Sequence, residues 1–291
     1  MKKMRVAIIG SGNIGTDLLI KVHRSEYLEC VLFVGRNLAS PGIAKAINLG
    51  IKVSDDSIDG IVKCADEIDI VFDATSAKDA IYHWGILEKL GKIVIDMTPA
   101  KLGALCVPAV NLEKITNERN INMITCGGQA SIPIAYAIGL SQKNLEYIEV
   151  VSSIASKSAG PATRLNLDEY VDTTEQGLKL FANVPSAKAI LNLNPAEPCI
   201  DMQTTIFAKV ENPDMPALEK EIDSIIRKIQ SYVPAYSLLV PPIYENGRIV
   251  IMVKVQGLGD YLPKYAGNLD IINCAAIAVA EKFSKVQNDI C

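Results

Sequence analysis

The first fifteen residues constrain this chain most. Val6-Ala7-Ile8-Ile9 is a continuous apolar run. Gly10-Ser11-Gly12-Asn13-Ile14-Gly15 follows directly, and Thr16–His23 then reads as a helix. Strand, G-x-G-x-x-G and helix in that order form the dinucleotide-binding fingerprint in its required context. Gly10 allows the tight turn, Gly12 lets backbone approach a pyrophosphate, and Gly15 lets helix pack on strand. The pyrophosphate would rest on the helix N-terminus. A tight turn in a doubly wound domain that binds nothing would carry the same glycines.

The pattern continues for over a hundred residues. Strands are expected at Arg5–Ile9, Cys30–Val34, Ile70–Asp73, Ile93–Asp96 and Ile121–Thr125, with helices near 13–24, 40–49 and 78–90. Alternation of this kind, with nearly unbroken apolar strands, predicts a Rossmann-type, doubly wound parallel sheet. From about residue 145 the strands lengthen: Tyr147–Ala155, Lys188–Leu193, Thr204–Val210 and Arg248–Val255. With helices near 168–182 and 214–231, they predict a mixed or antiparallel sheet covered on one face, a form that often makes a dimer surface. Leu269–Phe283 predicts a helix packing back on the first domain. The expected α/β division is therefore 1–125 plus 268–291 for the dinucleotide domain, and 126–267 for a catalytic and dimerisation domain.

Composition excludes several classes. Net charge is −4 with no Lys/Arg-rich run, which argues against nucleic acid and anionic membrane surfaces as partners. No apolar run reaches the roughly 18 residues that span a bilayer. The seven cysteines include no C-x-x-C pair, so neither a metal site nor a redox pair is expected, and a reducing cytoplasm fits.

One cysteine stands out. Met123-Ile124-Thr125-Cys126-Gly127-Gly128-Gln129 places Cys126 after an apolar run and before glycines and a helical segment. Free N–H groups at a helix start stabilise a thiolate. The alternative is one more buried small hydrophobe. No histidine follows Cys126, since His23 and His83 both lie in the first domain, so a Cys–His pair with a second-domain base is ruled out. Asp201 and Glu197 are candidate proton acceptors, or plain loop residues. At the end of the second strand, Gly35-Arg36-Asn37 stands where NAD enzymes carry a carboxylate. Asn37 can bond a ribose hydroxyl and Arg36 can meet a 2′-phosphate, which leaves NAD and NADP both open. Asp73 reads as a turn former or a site residue, with Thr75 and Ser76 placed to line the cofactor. Ser156-Lys157-Ser158-Ala159-Gly160-Pro161-Ala162-Thr163-Arg164 reads as a close-approach loop or a polar connection. Asn268 can cap the last helix or aim its amide at an oxyanion.

Taken together, these blocks resemble the acylating acetaldehyde dehydrogenases, the partners of 4-hydroxy-2-oxovalerate aldolase in aromatic degradation. The matching pieces include Ala7–Lys21, Phe72–Ala77, Asn122–Pro133, Ser156–Pro161, Asn194–Pro198 and Tyr261–Ile271. The resemblance implies oxidation of acetaldehyde, or propanal, with NAD and coenzyme A to acyl-CoA through a thioester on Cys126. It implies cofactor contacts from Ser11 to Ile14, from Ser158 through Leu165 and Asn166, and from Asn268. It also implies a homodimer and a complex with the aldolase. Four departures stand out. Thr204 replaces the aspartate of an M-R-D-T run, Ala162 replaces a glycine, the stretch between Tyr236 and Val250 is shorter, and Gly35-Arg36-Asn37 replaces an acidic strand end. A relative acting on another aldehyde or reducing an acyl thioester, and a nucleotide-binding partner protein with impaired catalysis, are the competing readings.

Overall fold

In a computed structural model, which describes residues 2–290, the chain forms two sheets. The side chains of Pro161, Ala162 and Ile290 lie outside the described residues. The first sheet takes β1 (Met4–Ile9), β2 (Leu28–Val34), β3 (Val53–Ser54), β4 (Ile70–Asp73), β5 (Ile93–Asp96), β6 (Ala104–Leu105) and β7 (Asn120–Asn122). Its order is β3-β2-β1-β4-β5-β7-β6, and every pairing is parallel. Helices α1 (Asn13–Arg24), α2 (Pro41–Asn48), α3 (Ile58–Lys63), α4 (Ala77–Leu87) and α5 (Pro108–Asn111) connect the strands. Strands β1 and β4 are buried almost throughout, as the apolar runs predict for a sheet covered on both faces. Strand order reverses between β1 and β4, and ligands of open α/β sheets bind outside the strand ends at such a point.

Helix α6 (Cys126–Ser141) leads into the second sheet. Strands β8 (Leu145–Ala155), β9 (Ser186–Asn194), β10 (Met202–Val210), β11 (Tyr236–Glu245) and β12 (Arg248–Val255) lie in the order β11-β12-β10-β8-β9. The sheet is mixed: β8 pairs parallel with β9, and the other neighbours are antiparallel. Helices α6, α8 (Leu167–Ala182) and α9 (Met215–Gln230) share one apolar core with the inner face. A short α7 (Pro161–Leu165) precedes α8, and α10 (Gly267–Ile290) closes the described chain.

The return of α10 to the first sheet is built from specific contacts. Lys21 on α1 donates to Asp270 at 2.7 Å and to Asp260 at 3.0 Å, and it pairs with Asp17 at 3.3 Å. Asn273 Nδ2 donates to Asp17, Ser25 to Glu281, and Ser284 to the Tyr27 carbonyl.

Several expectations shift. Strand β7 ends at Asn122, three residues before the expected end at Thr125. The Asn122 side chain accepts from the Ile124 N–H at 2.8 Å and turns the backbone out of the sheet, with Ile124 at φ +63°. Short β3 and β6 carry too few residues to show alternation. Strand β11 holds Pro241 and Pro242, which fits a sheet edge and hides it from pattern reading. Its turn to β12 is Asn246-Gly247, both at positive φ, a two-residue hairpin. That tight hairpin is the shortened stretch noted in the sequence. No described helix is long and apolar enough to cross a membrane.

Candidate active site

The G-x-G-x-x-G turn is geometrically forced. A Cβ on Gly15 would sit 1.8 Å from the Gly10 carbonyl oxygen, and one on Gly10 would meet the Ala74 carbonyl at 2.4 Å. A Cβ on Gly12 would meet nothing within 4 Å, so the backbone there faces open space. Gly12 is the N-cap of α1, no side chain caps it, and no acidic residue occupies the first turn. Uncapped N–H groups above a strand switch point suit the pyrophosphate of a dinucleotide. A cleft of about 1420 Å³ opens there, lined by Gly10, Ser11 and Gly12, by Arg36 and Asn37 from the end of β2, and by Thr75 and Ser76. Asn37 Oδ1 accepts from the Ala39 N–H, while Arg36 is exposed.

A second cleft of about 630 Å³ adjoins the first, and Ala74, Thr75, Ser76 and Asn166 border both. Ile14, Thr98, Cys126, Thr163, Tyr170 and Leu269 also line it. Cys126 is the first residue of α6, and Thr125 caps that helix by accepting from Gly128 N–H at 2.8 Å. The Cys126 thiol lies 3.8 Å from the Tyr170 hydroxyl on α8 and donates to it. The two motif glycines have separate spatial reasons. A Cβ on Gly127 would come within 2.1 Å of the Tyr170 hydroxyl, and one on Gly128 within 2.8 Å of the Ile124 side chain.

The electrostatics of the thiol are mixed. Burial pushes Cys126 up to about 11, against hydrogen bonding with Tyr170 and backbone N–H groups at the helix start, which pull it down. The helix-start amides are present as the sequence suggests, but desolvation outweighs them.

Behind the cleft wall lie two carboxylates. Asp73, at the end of β4, accepts from Thr75 N–H and Thr75 Oγ1 and binds buried His83 Nδ1 at 2.7 Å. It is therefore a turn former, and His83 is held away from the thiol. Asp96, its neighbour on β5, accepts from Thr98 N–H and from Asn122 Nδ2. Burial and the nearby Asp73 charge push Asp96 up to about 7.

The remaining candidates scatter. Asp201 precedes β10 and accepts from Gln256 Nε2 at 3.5 Å, and it does not line the cleft. Glu197 is exposed and pairs with Lys157. Thr204 points inward, buried, with its hydroxyl 3.0 Å from that of Ser152. Ser152 Oγ would lie 3.1 Å from a Cβ on Gly127, so Thr204 stands behind the thiol turn with Ser152 between. In the Ser158–Asn166 loop, Thr163 and Asn166 reach the thiol cleft, and Leu165 reaches the cofactor cleft. Ser158 turns back to the Ala155 carbonyl. Arg164 does not reach for phosphate, because its guanidinium donates to Ala159 and Ser156 within its own loop. Ala159 is buried and Gly160 half-buried, while Pro161 and Ala162 have no described side chains. Asn268 is not a cap. It lies inside the first turn of α10, with its Oδ1 buried and unpartnered beside cleft residue Leu269. Asp17, Asp260 and Asp270 form a three-carboxylate cluster, but the Lys21 ammonium occupies its centre. Tyr170 and the Asn122 clamp are the site features sequence reading missed. The long-range signal for Tyr170 is the glycine after Cys126, which makes room for a neighbour.

Comparison with known proteins agrees with this geometry. Residues 5–118 match the family model of the semialdehyde dehydrogenase NAD-binding domain. Residues 126–263 match that of the prokaryotic acetaldehyde dehydrogenase dimerisation domain. An acetaldehyde dehydrogenase of Spirochaeta aurantia is 59% identical over 288 residues, covering 99% of this chain and 97% of that protein. One of Pectobacterium atrosepticum is 58% identical over 288 residues, covering 98% and 97%. Among solved structures, the aspartate semialdehyde dehydrogenase of Candida albicans with NADP aligns with a TM-score of 0.66 at 12% identity, covering 99% of each chain. That likeness shows the shared fold.

A parallel dinucleotide-binding sheet joined to a mixed sheet, with a cysteine where their clefts meet, defines a nicotinamide-dependent aldehyde dehydrogenase of the semialdehyde dehydrogenase type. Within that class, the chain belongs to the prokaryotic acetaldehyde dehydrogenase family.

Proposed function

We propose that the enzyme oxidises acetaldehyde, or the slightly longer propanal, to the acyl-CoA through a thioester on Cys126. The observation that carries this is the position of Cys126. It sits at the start of α6, in a cleft that shares a wall with the cleft above the glycine turn. The Cys126 sulfur attacks the aldehyde carbon, and the oxyanion that forms faces the N–H groups at the helix start. A nicotinamide dinucleotide, held by the Gly10–Gly12 turn with Thr75 and Ser76, would supply the hydride acceptor for that carbon. The resulting acyl group stays on sulfur until the coenzyme A sulfur, its proton lost to solvent, bonds the acyl carbon and displaces the Cys126 thiolate. Asn268, with its unpartnered buried oxygen beside the cleft, is a candidate for holding the carboxamide of the cofactor.

The end of β2 supports acceptance of both NAD and NADP, because no carboxylate occupies Gly35-Arg36-Asn37 to repel a 2′-phosphate. The same reading includes a homodimer through the outer face of the second sheet. There exposed Ile190 and half-exposed Val151, Thr205, Met252 and Val240 form one row across five strands. Delivery of aldehyde from a bound 4-hydroxy-2-oxovalerate aldolase belongs to it on the strength of the family resemblance.

The test is a steady-state assay of Cys126→Ser with acetaldehyde or propanal, NAD or NADP, with and without coenzyme A. Turnover should fall by at least about 10³-fold, the scale of losing a covalent nucleophile. Near-wild-type turnover in that variant refutes the assignment.

A further inference from the structure

We propose that the Tyr170 phenol is the catalytic hydrogen-bond partner of the Cys126 thiolate, filling the place that a histidine or carboxylate would take. The proposal deepens the reading of Cys126 as nucleophile and rests on it.

The cleft has nothing else that can serve. Its lining includes no charged side chain, and Cys126 and Tyr170 are its titratable groups among the described residues. Around them face Thr75 and Ser76 from the end of β4, Thr98 from the end of β5, Thr163 and Asn166 beside α7, and Leu269 from α10. Ser152 and Thr204 come from β8 and β10, hydroxyl to hydroxyl. Asp73 and Asp96 stand behind, committed to Thr75 and Thr98. Of the histidines, His83 is paired with Asp73, and His23 is exposed on α1.

Two independent features place the phenol deliberately. The first is the 3.8 Å approach of Cys126 Sγ to its hydroxyl. The second is the missing Cβ of Gly127, which would otherwise overlap that oxygen at 2.1 Å. A phenylalanine would fill the same apolar space. The hydroxyl adds a polar atom to a buried site, and the groups that meet it there are the Cys126 sulfur, the Thr125 side chain and the Gly127 backbone, all of the thiol turn. The helix that carries it is stitched to the thiol turn. Thr174 Oγ1 donates to the Tyr170 carbonyl and lies 2.7 Å from Thr125 Oγ1, the cap of α6.

The proton balance is simple. In the resting site the thiol donates its S–H to the phenol oxygen. On ionisation that proton leaves to water in the cleft, and the phenol turns its own O–H to the sulfur. Tyr170 never acts as a base. Burial holds its ionisation well above the usual phenol range, so it keeps its proton throughout and only the direction of its bond to the sulfur changes. A charge-assisted bond of this kind favours the thiolate over the thiol.

The experiment is iodoacetamide labelling of Cys126, read by peptide mass spectrometry across pH 6 to 12, in wild type, whose thiol lies near 11, and in Tyr170→Phe. Thermal melting controls for folding. The inflection should move up by about one pH unit, and labelling at pH 7.5 should slow about tenfold, since each pH unit is a tenfold change. The pH-independent packing of the ring does not predict that movement. Gly127→Ala, which pushes the phenol away by a different route, should slow labelling in the same direction. Wild-type labelling rates in folded Tyr170→Phe overturn the proposal. Full turnover in Cys126→Ser fails the parent reading instead, so the two failures are separable.

Discussion

Replacing Asn122 with alanine should damage both stability and catalysis, by amounts the structure lets one work out. Asn122 is fully buried, and its amide makes three bonds. Nδ2 donates to Asp96 Oδ2 at 2.9 Å and to the Thr98 carbonyl at 2.9 Å, and Oδ1 accepts from Ile124 N–H at 2.8 Å. The truncation leaves three buried polar groups unpartnered, each costing about 1–3 kcal/mol. Relaxation recovers part of this, so a loss of about 3–5 kcal/mol is expected, large against a typical domain stability of about 5–15 kcal/mol. The same bond holds Ile124 at φ +63°, a conformation that costs a β-branched residue about 1–2 kcal/mol. Once released, that residue relaxes and carries Thr125 and Cys126 with it. A displacement near 1 Å lowers kcat/KM by about 10²-fold. Urea unfolding at pH 7.5 measures the first effect, and kcat/KM for acetaldehyde in the folded range measures the second. Adding Ile124→Gly, which tolerates positive φ, should recover some activity while lowering stability further. A loss below about 1 kcal/mol, with kcat/KM within about threefold of wild type, refutes the clamp, because three buried bonds cannot vanish at so small a cost.

Two further outcomes follow from buried charge. Asp96 titrates near 7 in the folded chain, above its unfolded value, so its contribution to stability is fully present below about pH 4 and fades as pH rises through 7. At about 1.4 kcal/mol per pH unit over roughly three units, the decline amounts to about 4 kcal/mol. Asp96→Asn should flatten the urea midpoint between pH 4 and 7, and an unchanged slope counts against the assignment. Lys21→Met strands the buried Asp17 and Asp270 without their cation, Asp260 keeping Arg24, and should cost about 3–5 kcal/mol near neutral pH. That loss should shrink toward pH 4 as Asp17, whose carboxyl burial pushes up, takes up a proton, and a pH-independent loss would mean the cluster is not held by charge.

How much of this was legible in the chain depends on the range of the signal. Strands β1, β2, β4 and β5 read correctly because each is a run of buried apolar residues bounded by turn formers. The glycine turn read correctly because Gly10 and Gly15 answer to contacts within the first 75 residues, while Gly12 faces open space. Cys126 was legible as a helix start, since Thr125 and the glycines that follow are local cues. What failed was pairwise geometry. Asp201 and Thr204 sit three residues apart, and only the register of β10 against β8 shows that Thr204 faces the thiol turn. Arg164 looks like a phosphate ligand in composition and spends its guanidinium on its own loop. Tyr170 lies 44 residues from Cys126, and no local pattern links them. Asn122 reads as the middle of a strand, whereas its side chain is what ends that strand.

The walls of the thiol cleft come from far apart in the chain, with Ile14 on one side and Leu269 and Ile272 on another. The Lys21 cluster ties α1 to the start of α10 across about 250 residues. During synthesis, therefore, Cys126 emerges long before its cleft can close. Until α10 docks, the thiol turn lacks one wall and stands open to water and to oxidants. Docking of α10 thus supplies, through Leu269 and Ile272, the wall that shelters the Cys126 thiol.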